Sequence, residues 1–568
     1  MGRLKRSRRD RMEEGRREME QSGDRKTDIL IVGGSVGGCA AALAAVEAGW
    51  QVILTEESSW IGGQLTSQAV PPDEHGWIEE RGCTTSYRRF REGVRSYYRQ
   101  YYPLRDDVRQ TVRLNPGNGW VSPLCHEPRV ALAVLEAMLA PHRGSGRLRI
   151  LLEHRPTAAL VARDRVREVR LLDLQTGEEC SIEADYVIDA TELGDLLPLT
   201  ETEYVTGSEA QRETGEPSAG QEARPENAQG FSFCFLLDHR EGEDHTIERP
   251  VHYDFWRDYA PELQPAWPGP LLSWTITHPR EGRPMSYHFE PHREPSRAFA
   301  GLWTYRRILD RSLFVDGAFA SDVTTVNWPQ TDYLRGDLCT ASEEDRLFHL
   351  AEAREQSRSL VYWLQTEAPR PDGGRGWPGL RLRGDLTGGM PAARSLAMMP
   401  YIRESRRIRA EMTIIEPHLS AAHRPGQTLG VSYFDSVGIG CYRIDLHPTT
   451  GGDNYLDVES LPFQLPLGAL IPVRMENLLP ACKNIGTTHI TNGCYRVHPV
   501  EWNIGEVAGA FAAEALRTRR TPREIRADLG ALADFQRTLV RRGIELAWPT
   551  GLVLAEGDPH RHAITSET

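Results

Sequence analysis

The segment Gly33-Gly34-Ser35-Val36-Gly37-Gly38 lies between the apolar run 28–32 (DILIV) and the small-residue stretch 39–49 (CAAALAAVEAG). An apolar strand, a glycine-rich turn and a small-residue helix make a phosphate-binding entry to a βαβ unit. The first glycine permits the tight turn, and the last lets the helix pack closely on the strand. The helix N-terminus then offers free N–H groups and its positive dipole end to a diphosphate. Gly49 ends the helix, and 51–57 (QVILTEE) reads as the second strand. Glu56 follows Gly38 by 18 residues, about where an acid meets the ribose hydroxyls of an adenosine. Ser35 takes the middle position, usually a glycine, as a small hydroxyl residue able to hydrogen-bond.

Four further segments carry a resemblance. They are Ile61-Gly62-Gly63-Gln64-Leu65-Thr66, the strand end 187–195 (VIDATELGD), Arg403-Glu404-Ser405-Arg406-Arg407, and a closing block. The closing block runs from 477–482 (NLLPAC) through Arg496-Val497-His498-Pro499 to Gly505-Glu506-Val507-Ala508-Gly509. With the N-terminal turn, the chain resembles FAD-dependent oxidoreductases with a two-dinucleotide-binding-type Rossmann flavin domain, in the bacterial branch that includes relatives of the heterodisulfide reductase flavin subunit. Glu192 stands where that family has a glycine in its A-T-G triplet.

The resemblance implies an α/β fold: a Rossmann-like FAD-binding domain, discontinuous in sequence (27–75, 125–205 and 460–520), with an inserted mixed α+β substrate domain (76–124 and 206–459). It implies FAD as cofactor, held by Gly33, Gly34, Ser35, Gly37, Gly38, Glu56, Gly62, Gly63, Gln64, Thr191, Gly194, Asp195, Ile504 and Gly505. A helix is expected to start at Gly505 and to direct unpaired N–H groups at the flavin. The alternative for Gly505 and Gly509 is close helix packing.

Residues 488–505 concentrate polar groups ahead of that helix. His498 is the first candidate for the base that removes a heteroatom proton during hydride transfer, followed by His489 and Glu501. Arg496 is a candidate for binding a substrate carboxylate or an anionic flavin. His126 and Glu127 read more readily as helix caps, and Arg443 and His447 as weaker substrate-binding candidates. No second G-x-G-x-x-G follows a strand, so electrons are expected from an organic substrate rather than a bound nicotinamide. The expected reaction is dehydrogenation or oxidation of a small polar metabolite. A monooxygenase or halogenase needing NAD(P)H or a partner reductase stays open, as does a non-catalytic flavoprotein.

The net charge of −13 argues against general nucleic-acid binding. No apolar run reaches the roughly 20 residues that span a bilayer. Nine scattered cysteines without a C-x-x-C pair suggest a reduced, cytoplasmic protein and supply no expected metal site. Association with a second copy is left open, as is the electron acceptor, oxygen or a redox partner.

Helices are expected within 76–103, at 130–142, 351–369 and 400–417, and in the terminal extension 521–549. The stretch 87–102 reads as an exposed amphipathic helix, and the polar stretch 208–229 as a mobile loop or lid. Residues 1–26, with ten basic and six acidic residues, read as a charged disordered tail, and the last residues of the extension 521–568 as frayed.

Overall fold

The computed structural model describes residues 26–291, 301–389 and 396–551. The charged N-terminal tail, apart from Lys26, and the terminal PHRHAITSET lie outside these residues. In chain order the elements that position the site are β1 (Lys26–Val32), α1 (Val36–Glu47), β2 (Val52–Glu56), α2 (Thr85–Tyr101), α3 (Pro128–Gly144), β3 (Leu148–Leu152), β4 (His154–Ala162), β5 (Arg165–Asp173) and β6 (Glu179–Asp189). There follow β7 (Phe235–His239), β8 (Arg307–Leu309), β9 (Val323–Val326), α4 (Glu343–Thr366) and β10 (Leu380–Leu382). The chain closes with β11 (Leu478–Pro480), α5 (His489–Tyr495), α6 (His498–Thr518) and α7 (Leu529–Arg541).

The fold is α/β, with a parallel Rossmann-like sheet. Strands β3, β2, β1, β6 and β11 lie side by side and parallel, with Ile29 opposite Val52 and Tyr186, and Val187 opposite Leu478. Strand β6 is 11 residues long; its first half pairs antiparallel with β5, which pairs with β4. The strands β1 and β2 are buried along most of their length, as expected of a parallel sheet covered on both faces. A second sheet, in the order β8, β9, β7, β10, stands beside α4, where Ser357 of α4 donates to Phe233 O (2.9 Å).

Helix α6 begins at His498, seven residues before the expected start, with Pro499 in its first turn. Proline suits that position because its missing N–H has no partner in a first turn and its φ is already helical. Gly505 therefore lies inside the helix, and its N–H is not a free terminal donor. Its role is close packing: a Cβ there would lie 2.0 Å from Gly37 O, and one on Gly509 2.2 Å from Ala41 O.

Residues 400–415 form no helix, with a two-residue strand at Arg407–Ile408 that pairs with Tyr204–Val205, and a single 3-10 turn follows at Glu416–His418. An extended chain sends neighbouring side chains in opposite directions. Arg403, Glu404, Arg406 and Arg407 use this to reach Asp332, His489, Asp195 and Glu209. Helix α2 is amphipathic as expected, with Arg89, Glu92, Ser96 and Gln100 exposed, but its inner face buries Tyr87, Arg91, Arg95 and Tyr98, and both arginines pair with Glu79.

The stretch 208–229 is docked. Its Glu216 is buried and accepts from Thr488 Oγ1 (2.7 Å) and Glu416 N (2.8 Å). Burial pushes the Glu216 carboxyl up to about 7 despite these hydrogen bonds. A carboxyl with a raised folded-state pKa stabilises the fold below its unfolded value, and that contribution is lost as pH rises toward 7. Glu216→Gln is expected to remove roughly 2–3 kcal/mol of the pH dependence of stability between pH 4.5 and 7, read from urea unfolding at pH 5 and 7.5. Equal slopes for variant and wild type would refute the assignment. Gly505→Ala is expected to cost about 1–3 kcal/mol by forcing α6 from α1; an unchanged thermal melt would contradict the contact.

Candidate functional site

The turn after β1 is held from both sides. Gly33 has φ +101°, and a Cβ there would lie 2.3 Å from Ala190 O at the end of β6. Gly37 has no space either, since its Cβ would meet Ala481 O at 1.6 Å. Ser35 caps α1: its Oγ accepts from Gly38 N at 3.1 Å, which satisfies one first-turn amide locally. The hydroxyl thus has a structural use that glycine could not supply. Glu56, at the end of β2, accepts from Gly34 N (2.8 Å) and Ser58 N (2.9 Å). Burial raises its carboxyl to about 7, opposed by these hydrogen bonds.

Gly62 and Gly63 both have positive φ, 106° and 45°, so the loop folds back against the turn and Gly62 N donates to Gly34 O (2.6 Å). Gln64 follows, fully buried. At the end of β6, Thr191 N and Oγ1 donate to Asp189 Oδ1 (3.0 and 2.7 Å), and Thr191 Oγ1 accepts from Asp195 N (2.7 Å). Gly194 supplies the φ of +67° that the loop needs. Asp195 pairs with Arg406 at 3.2 Å, so the 187–195 and 403–407 motifs meet.

Glu501 joins the closing segment to the turn. Its Oε1 accepts from Gly37 N (3.2 Å) and its Oε2 from Gln64 Nε2 (2.5 Å). Gln64 Nε2 also donates to Arg496 O (3.1 Å). The buried Lys483 ammonium lies 3.4 Å from Glu501 Oε2 and pairs with Glu192. Burial opposes its charge, but Cys482, Glu192 and Glu501 hold it protonated. Glu192, Cys482 and Glu501 bring ligand atoms within 4.8 Å of one another, and Lys483 is the cation that neutralises them. Ile504 is buried within α6.

The two candidate histidines differ. His489 Nδ1 lies 2.9 and 3.0 Å from the Glu404 carboxylate oxygens. Burial alone would lower its pKa, but Glu404 raises it. His498 Nδ1 instead accepts from Asp73 N (3.1 Å), so the neutral ring carries its proton on Nε2. Burial lowers its pKa to about 4. Arg496 donates to Tyr401 OH and Asp445 O, both at 2.9 Å.

Sequence reasoning missed Asp73, Arg306, Tyr401 and Lys483. The first three lie outside every motif, and only Lys483 had a signal, next to Cys482 in the closing block. The weaker candidates have structural partners. Glu127 stands at the N-cap of α3 without a side-chain cap bond and accepts from Tyr98 and Tyr102 instead (2.9 and 2.7 Å). His126 Nδ1 lies 3.2 Å from Glu127 O. Arg443 pairs with Asp457, and His447 Nδ1 lies 2.6 Å from Asp332.

A parallel sheet whose first turn is a glycine cradle, faced by a charged closing segment, is the arrangement of a dinucleotide-binding protein. The model of the FAD dependent oxidoreductase family matches residues 28–539; the chain belongs to that family, and its cofactor is FAD. No protein of curated function matches the chain in sequence. Similar solved structures include the myxobacterial chondrochloren halogenase CndH (12% identity, 39% of this chain and 45% of that one, TM-score 0.22). Another is the glycerol-3-phosphate dehydrogenase from Bacillus halodurans (14%, 38% and 40%, TM-score 0.22). A third is the flavin-dependent monooxygenase PieE (12%, 38% and 35%, TM-score 0.22). The chain spans less than half the length of each, and these likenesses carry nothing about the reaction.

The residues present fit the cofactor. The glycine cradle admits no Cβ, and Gln64 Oε1 and Gln68 Oε1 are buried acceptors without hydrogen-bond partners among the described residues. The Glu501 carboxylate on Gly37 N stands in for an anion at the first turn of α1. Two anions compete for one amide, so Glu501→Gln is expected to tighten FAD binding about tenfold, some 1.4 kcal/mol. Flavin fluorescence quenching on titrating the apoprotein measures this; weaker or unchanged binding would overturn it.

Proposed function

We propose that the protein oxidises a small polar metabolite, removing a hydride from a carbon that bears oxygen or nitrogen while a side chain takes the heteroatom proton. The observation that carries this reading is the buried His489–Glu404 pair, an imidazole held by a carboxylate on the segment that Gln64 joins to the loop beside the dinucleotide turn. Bound FAD supplies the two-electron acceptor. Gly33, Gly34, Ser35, Gly37 and Gly38 with Glu56 would hold its adenosine and diphosphate. Gly62, Gly63, Gln64, Thr191, Gly194 and Asp195 would line the path toward the ring, and α6 carries Ile504 and Gly505 behind it.

The base in this reading is His489 rather than His498. A carboxylate on Nδ1 orients an imidazole and raises its basicity, leaving Nε2 to take the proton, an arrangement known from catalytic triads. His498 has its Nδ1 lone pair engaged by Asp73 N–H and acts as a hydrogen-bond donor. Atoms balance: the substrate loses one hydride and one proton and gains a double bond to oxygen or nitrogen. Oxygen or a redox partner then takes the electrons. Nine scattered cysteines without a C-x-x-C pair support a reduced, cytoplasmic setting.

Anaerobic addition of the right hydroxy or amino compound should bleach the yellow holoprotein, and air should restore the colour. His489→Asn should slow that bleaching about 10²–10⁴-fold with FAD retained. The rate should fall as pH drops through an inflection above the ordinary imidazole range, because Glu404 favours the protonated ring and the base must be unprotonated, and Glu404→Gln should move that inflection down. Bleaching by NAD(P)H alone, or a His489→Asn variant reduced at the wild-type rate, would count against this function.

A further inference from the structure

Asp73, Arg306, Arg496 and His498 come from separate parts of the chain and share one buried polar cluster. Arg306 Nη1 lies 3.1 Å from Asp73 Oδ1, Asp73 N–H donates to His498 Nδ1, and the charges of Arg306, His498 and Arg496 all act on Asp73. Each residue is at least nine-tenths buried: 4% exposed for Asp73, 7% for Arg306, 3% for Arg496 and none for His498. Arg306 Nε, Arg496 Nε and His498 Nε2 have no hydrogen-bond partner among the described residues. All three are donors. A buried donor left without an acceptor costs about 1–3 kcal/mol, so three in one cluster are explained by an acceptor-rich ligand.

We infer that this cluster is a carboxylate subsite, and that the metabolite oxidised by the protein is a small carboxylic acid held by Arg306, Arg496 and His498. The inference rests on the oxidation proposed above. A carboxylate offers two oxygens with about four acceptor positions and no hydrogen, which matches a set of donors. An alcohol or amide would bring its own O–H or N–H to a cluster in which the orphan donors outnumber the orphan acceptor, Asp73 Oδ1, among the described residues. A doubly charged tetrahedral anion is a poorer match, because Asp73 and Asp445 already face the two guanidiniums and would repel a second negative charge. The Asp445 side chain is 29% exposed and lies 3.4 Å from Arg496, which places the solvent edge of the cluster there. His498 thereby has a use suited to its Nε2–H: it donates to the bound oxygen.

The experiment uses the holoprotein and the flavin absorbance spectrum. Acetate, glycolate, lactate and succinate are titrated against acetamide, lactamide, inorganic phosphate and sulfate. At least one carboxylate should perturb the spectrum saturably and bind about tenfold or more tightly than its amide. Phosphate and sulfate should bind more weakly. Arg306→Gln and Arg496→Gln should each weaken carboxylate binding about 10–100-fold with FAD content unchanged. Asp73→Asn/Arg306→Gln, which removes both partners of one ion pair, guards against a folding defect and should show the same loss.

Equal binding of acids and amides, tighter binding of phosphate, or no carboxylate binding would overturn the inference. Bleaching by a neutral metabolite without carboxylate binding would overturn it while leaving the proposed oxidation standing. Carboxylate binding in a protein that no C–H donor reduces would sink the oxidation and leave a carboxylate-binding site.

Discussion

Helices α1 and α6 touch backbone to backbone, and the geometry of the site depends on that contact. Gly505 faces Gly37 O and Gly509 faces Ala41 O with no space for a side chain. Their spacing of four puts both glycines on one face of α6. Glu501 lies four residues before Gly505 on the same face and so reaches the amide of Gly37. Two small-residue helices thus lock the closing segment to the first turn of the sheet. A larger residue at either glycine would shift Glu501 and the 488–496 segment away from the turn.

Charge then organises what packing has brought together. Arg403, Glu404, Arg406 and Arg407 are consecutive or nearly so, yet each meets a different partner from a distant part of the chain. Burying so many ions is costly unless every one is paired. The pairing therefore fixes where each strand end and loop must stop. Asp195 is placed by Arg406, His489 by Glu404, and Asp332 by Arg403 and His447. Few alternative arrangements satisfy all of these at once, which is how a polar interior specifies one geometry.

The parts of this protein legible in the sequence are those governed by local rules. The strand–turn–helix at 27–49 depends on spacing and glycine sterics, and the structure has it as read, with Glu56 at the end of β2. Helix α3 follows from its apolar spacing, while the expected helix at 351–369 covers only the later turns of α4, which starts at Glu343. The 400–417 stretch misleads because its charged residues look like an exposed helix face, whereas tertiary ion pairs hold it extended. The start of α6 was marked by Pro499, a first-turn proline, but the conspicuous glycines at 505 and 509 drew the boundary inward. Asp73 and Arg306 were illegible for another reason: nothing local distinguishes an acid or an arginine that finds its partner over 200 residues away.

The two histidines of the closing segment show how the fold, more than residue type, assigns chemistry. In sequence they lie nine positions apart in one polar segment, and an imidazole's neutral-range titration, which puts His498 first, applies equally to both. In the structure a backbone N–H occupies the Nδ1 lone pair of His498 and burial keeps the ring neutral. A carboxylate occupies Nδ1 of His489 and favours its protonated form. An imidazole whose Nδ1 accepts a hydrogen bond presents Nε2–H outward; one whose Nδ1–H is held by a carboxylate presents an Nε2 lone pair when unprotonated. The first is fitted to hold an oxygen and the second to take a proton. The proposed oxidation of a carboxylic acid would use both functions, one at its carboxylate and one at the carbon-bound heteroatom.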